Sequence, residues 1–148
     1  MPSEYQSMFE ETMQLTRAWI EDLAGRMHVD DPHKAYLALR TVLHELRDHL
    51  PPELAAHMAA QLPMLVRGFY FEGWKPVTTP VPERKREAFL DAVAGQVRDP
   101  SLQPEAVAAA VFALLNDRLS DGQVEKVRRT LPPGIRSLWP GGEGAGHA

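Results

Sequence analysis

An all-α helical bundle of two pseudo-symmetric repeats, with about four helices in each, is the fold that the 148-residue sequence predicts. Three observations carry that expectation. Apolar residues recur at steps of three and four through most of the chain, proline and capping residues punctuate the pattern, and the whole arrangement returns in the second half at an offset of 70 and then 69 positions.

Ser3 and Gln6 stand at capping-box spacing, and behind them Tyr5, Met8, Phe9, Met13, Thr16, Trp19, Ile20, Leu23 and Met27 form one long apolar stripe. This spacing predicts a single amphipathic helix whose stripe faces the core. Asp31-Pro32 starts a second helix, because the aspartate can accept from the first free amides and proline lacks the amide that the first turn would leave unused. Its stripe is Ala35, Leu39, Val42, Leu43 and Leu46.

Pro51-Pro52-Glu53 ends that helix and opens a short third one with Leu54, Met58 and Leu62. Leu62-Pro63 begins a fourth through Leu65, Val66, Phe69 and Tyr70, ending near Gly73. Pro76, Pro80 and Pro82 then mark an extended, semi-rigid connector. The expected organisation is a first repeat over 1–75, a connector over 76–82, a second repeat over 83–140 and a disordered tail over 141–148, all in one domain.

The duplication is legible residue by residue. Trp19, Leu23 and Met27 lie 70 places before Phe89, Val93 and Val97; after one indel, Ala38, Val42, Leu43, Leu46 and Leu50 lie 69 places before Val107, Val111, Phe112, Leu115 and Leu119. Leu62-Pro63, Val66-Arg67 and Tyr70 return as Leu131-Pro132, Ile135-Arg136 and Trp139. Ser120-Asp121-Gly122-Gln123 predicts a capping box where the first half uses its proline pair.

The stretch Gln61-Leu62-Pro63-Met64-Leu65-Val66-Arg67-Gly68-Phe69-Tyr70-Phe71-Glu72-Gly73-Trp74-Lys75-Pro76, with the spacing of its second copy, closely resembles a bacterial family known as domain of unknown function 2267. The resemblance covers roughly residues 5 to 140. It implies a helical, often duplicated module and brings no catalytic residue with it. Pro51-Pro52 departs from the glycine and acidic turn associated with the family, a turn that Asp121-Gly122 keeps.

A chain of this length buries enough surface to fold without staples, and with no cysteine it has no disulfide, thiolate ligand or thiol nucleophile. Met1-Pro2-Ser3-Glu4-Tyr5 has no basic start leading into an apolar run, and no stretch approaches the roughly 18 apolar residues of a membrane span, so a cytoplasmic protein is expected. Residues 1–74 carry 11 acids and 6 bases, and residues 75–148 carry 9 and 10. Neither half has the basic excess of a dedicated nucleic-acid binder.

His44-Glu45-Leu46-Arg47-Asp48-His49 is the most enzyme-like segment. Its histidines are five apart, however, which sets them roughly 140° from one another on a helix. Glu45 and His49 share a face, and His33 or His57 could join them, but a solvated helix face is the preferred reading, and no metal or cofactor is expected. His147, in the tail, is a poor fixed ligand. Arg84-Lys85-Arg86 and Lys126, Arg128 and Arg129 are interleaved with Glu83, Glu87 and Glu125, the pattern of a salt-laced surface rather than a phosphate track.

Arg67 and Arg136 follow the leucine-proline helix starts at matching places and are expected to fix the turn, through the carbonyl end of a neighbouring helix or a carboxylate of the same repeat, rather than to bind a ligand. Phe69, Tyr70, Phe71 and Trp74 cannot all face one core, because consecutive helical residues point in different directions. They are the candidate interaction surface, weighed against simple burial. The function expected is a non-enzymatic protein-interaction or regulatory module, with an unidentified protein or a second copy of the chain as partner. The alternatives are metal or enzymatic chemistry at the first-half histidines and nucleic-acid or phosphate binding at the second-half basic clusters.

Overall fold

Helix α1 (Glu4–Met27) starts where Ser3 predicts, in a computed structural model that describes residues 3–141. The Gln6 amide donates to Ser3 Oγ and the Ser3 amide to Gln6 Oε1, so both arms of the capping box form. Asp31 likewise accepts from the His33 amide and opens α2 (Pro32–Asp48). The short α3 (Pro52–Ala59) and α4 (Met64–Phe71) follow, each behind its proline. The connector contains one 3₁₀ turn at Pro76–Thr78 and a cis Thr79–Pro80 peptide.

The second half repeats the order with α5 (Arg86–Val97), α6 (Pro104–Arg118), α7 (Asp121–Thr130) and the single turn α8 (Pro133–Arg136). The protein is all-helical, with no strand among the described residues. The last seven residues of the expected disordered tail, 142–148, lie outside them. Helices α1 and α2 pack on each other and against α5 and α6, so residues from both halves join one core. Each apolar pair matched above at offset 70 or 69, from Trp19 and Phe89 to Tyr70 and Trp139, is buried in it. Helices α1 and α5 also end alike, on His28 and Arg98 with φ of 58° and 56°. These left-handed residues close the helices without glycine.

Two expectations are corrected. The Ser120 capping box forms only in part: the Gln123 amide donates to Ser120 Oγ at 3.3 Å, but the Gln123 side chain does not reach back. Gln61 takes that role, accepting from the Ser120 amide at 2.8 Å and donating to Ser120 Oγ at 3.0 Å. The second correction concerns α1, whose apolar stripe is not core-facing throughout. No residue from Ser3 to Ala18 is buried, and the core begins at Trp19. The reason is length: 24 residues of α1 span about 36 Å, against about 26 Å for the 17 residues of α2 and about 22 Å for the 15 of α6. The first turns of α1 outrun the helices that would cover them.

Candidate interaction surface

The overhang of α1 carries the largest exposed apolar chemistry of the described residues. Tyr5, Met8, Phe9 and Met13 are 58%, 53%, 54% and 52% exposed, and the Tyr5 and Phe9 rings meet edge to face at 5.8 Å. These residues prolong the same three-and-four spacing that places Trp19, Leu23 and Met27 in the core. Where the overhang meets the bundle, Met13, Thr16, Ile20, Tyr36 and Leu65 line an open groove of about 440 Å³. Met64 and Leu65, at the start of α4, are exposed. Isolated apolar residues on a surface are ordinary, whereas larger contiguous apolar patches are characteristic of contact sites in general.

Two of the first-half histidines, His44 and His49, hold backbone carbonyls rather than lie on a solvated face. His44 Nε2 donates to the Phe69 carbonyl at 2.5 Å, which ties α2 to α4, and burial holds its pKa below the ordinary histidine value despite that bond. His49 is buried, with Nδ1 at 2.6 Å from the Glu45 carbonyl and Nε2 at 2.9 Å from the Glu83 carbonyl. His33 stacks on Tyr36 at 5.8 Å, and no group of His, Asp and Glu able to hold a metal ion occurs among the described residues. Burial also raises the Glu45 carboxyl above the ordinary range.

Within the same segment the sequence reading missed Arg47, which is 4% exposed. Its NH1 donates to the carbonyls of Tyr70 and Glu72, each at 2.7 Å, and its Nε and NH2 reach Asp48 at 2.9 and 3.3 Å. The guanidinium thereby satisfies the carbonyl end of α4. One signal was available: Arg47 lies four residues after Leu43 and three before Leu50, on the apolar stripe itself.

The aromatic run divides. Tyr70 is fully enclosed, its hydroxyl donating to the Ala55 carbonyl at 2.8 Å, so it offers nothing to a partner. Phe69, Phe71 and Trp74 are half-buried against the core: Phe69 meets Tyr36 edge-on at 5.5 Å, and Phe71 lies 5.0 Å from Trp74. Tyr36 of α2 and the core beneath cover part of what one helix face could not direct inward. Arg67 Nε and NH2 donate to the carbonyls of Ala59 and Leu62, and Arg136 Nε and NH2 to those of Arg128 and Leu131. In both halves the bonds span eight and five residues and close the end of the preceding short helix.

A family model described as "Uncharacterized conserved protein (DUF2267)" matches residues 16–138. The chain belongs to this family. No curated protein matches it. The DUF2267 match takes in the buried part of α1 and the seven helices after it, and the turns Glu4–Leu15 of the overhang precede it. The apolar side chains at 5, 8, 9 and 13 thus lie before the matched residues.

Several of the remaining charges of the DUF2267 module pair with one another. Arg128 and Arg129 both pair with Glu125, Lys34 with Asp99 at 2.6 Å, and Asp22 with Arg26 and Arg118 at 2.8 and 2.9 Å. Arg84 and Lys85 are exposed beside Glu83, as a solvated surface requires. The hollow between α5 and α6, about 460 Å³, is lined chiefly by apolar residues, and its Asp99 is taken up by Lys34 and Ser101. No helix of the described residues is long and apolar enough to cross a membrane.

Proposed function

We propose that this DUF2267 chain is a non-enzymatic protein-interaction module of the bacterial cytoplasm. Its contact surface is the overhanging face of α1, continued by Met64 and Leu65. The observation that carries the reading is the half-exposed stripe Tyr5, Met8, Phe9 and Met13 running directly into the groove beside Leu65. The ring nitrogens of His44 and His49 that face backbone carbonyls are occupied in holding the fold, which supports a binding role over chemistry at that segment. The half-buried Phe71 and Trp74 are a weaker second surface than the sequence suggested, because both rest on the core.

The module is also read as an internal duplication. The equal spans of the Arg67 and Arg136 bonds and the matching left-handed ends of α1 and α5 support that reading. A photo-crosslinking residue placed at Phe9 in native cells tests the interaction role. Discrete adducts from position 9, absent when the probe sits at exposed Glu105 on α6, are expected. Equal, diffuse labelling from both positions would refute the proposal.

A further inference from the structure

We infer that the partner of this surface is a second copy of the chain, the two α1 overhangs lying antiparallel across a two-fold axis; this rests on the overhang being a contact site. An isologous contact demands a surface that matches itself when reversed. The face of α1 meets that demand. Its residues 5, 8, 9, 12, 13 and 16 map onto one another when the direction is inverted about the midpoint of Glu10 and Glu11: Tyr5 opposes Thr16, Met8 opposes Met13, and Phe9 opposes Thr12.

The charged groups stay at the edges of such a contact. Glu4, Glu10, Glu11 and Arg17 sit roughly 100–140° from the centre of the face by helical position, so pairing desolvates no unpartnered carboxylate. The flanks of the overhang carry a single base, where a membrane-lying helix would present several lysines or arginines. Area agrees as well. Side chains of this size, half exposed, offer roughly 100 Å² each, so the four of α1 with Met64 and Leu65 give roughly 600 Å² per copy. A standard interface takes about 800 Å² from each partner, and the groove beside Tyr36 lies open to supply the difference.

The test uses the full chain. Sedimentation equilibrium over a concentration series should return twice the monomer mass, with dissociation in the micromolar range. Phe9→Glu with Met13→Glu should weaken self-association by at least about 100-fold, because each copy would bury two unpaired carboxylates. Circular dichroism should be unchanged, since neither position touches the core. Register is tested by mixing a Met8→Cys chain with a Met13→Cys chain, which is clean because the protein has no cysteine of its own. The mixed disulfide should form in preference to either symmetric one.

A dimer indifferent to the two glutamates, or one that crosslinks Met8→Cys to itself first, would overturn the antiparallel pairing. A chain that stays monomeric yet gives a discrete heterologous adduct from position 9 would overturn self-association and leave the interaction module standing. Binding of the monomer to phosphatidylglycerol vesicles would replace the second copy with a lipid surface. A monomer without adducts would remove both readings.

Discussion

Replacing Arg47 by methionine keeps most of the aliphatic stem and deletes the guanidinium that closes α4. The Tyr70 carbonyl is left buried and unsatisfied, which costs about 1–3 kcal/mol, and the charge-assisted bond to the half-exposed Glu72 carbonyl goes with it. The Asp48 pair contributes less than about 1 kcal/mol, because that carboxylate keeps access to water. Together these place the loss near 3 kcal/mol. Urea unfolding should show a midpoint lower by about 1.5 M at unchanged slope, and the melting temperature should fall by about 6–12 °C. Arg40→Met is the matched control, since Arg40 meets the exposed Glu72 carboxylate at 3.3 Å and its loss should cost at most about 1 kcal/mol. An Arg47→Met midpoint indistinguishable from that of Arg40→Met would refute the assignment of Arg47 as the closing group of α4.

Trp139→Ala should cost about 3–5 kcal/mol by thermal melting, since the ring stacks on Phe112 at 4.3 Å and its Nε1 donates to Asn116. Trp74→Phe should be neutral or stabilising by up to about 1 kcal/mol in the same measurement, because the Trp74 Nε1 is buried with no acceptor among the described residues. Urea midpoints across a pH series should fall in acid for two reasons. Hydrogen bonds from Lys34 and Ser101 hold Asp99 down to about 2, so its contribution is complete above the ordinary carboxylate pKa and lost as pH drops from there to about 2; Asp99→Asn should flatten this part of the slope. Burial lowers the pKa of His44, so its neutral form favours the fold; that contribution is full above the ordinary histidine value and declines as pH falls below it.

Most of the architecture was legible because backbone rules are local. Ser3, Asp31 and the proline starts fixed where helices begin, and the matched apolar positions pointed to the core pairs before any contact was known. Exposure is different, being a property of neighbours. The spacing that buries Leu23 is the spacing that leaves Phe9 in solvent, and only the relative lengths of α1, α2 and α6 separate the two. The candidate site was missed for that reason. Arg47 was missed for another: in a segment rich in histidine and acid it resembles a surface charge, although its place on the apolar stripe already required the guanidinium to find partners inside. The aromatic run showed the converse: its spacing left burial and a partner both open, and tertiary neighbours decided, with Tyr36 of α2 against Phe69 and Phe71 packed on the core.

The bond pair between Gln61 and Ser120 has a consequence for inheritance. A unit copied in tandem can at first be divided again, each copy carrying its own helix starts. The opening of α7 draws on a side chain 59 positions upstream, so this helix start is shared across the connector. A gene fragment encoding residues 83–148 alone would leave the Ser120 amide without the acceptor that Gln61 supplies. Recombination that exchanges one half between relatives would keep this pair only where glutamine stands at 61 and serine at 120; otherwise water takes the exposed Ser120 amide.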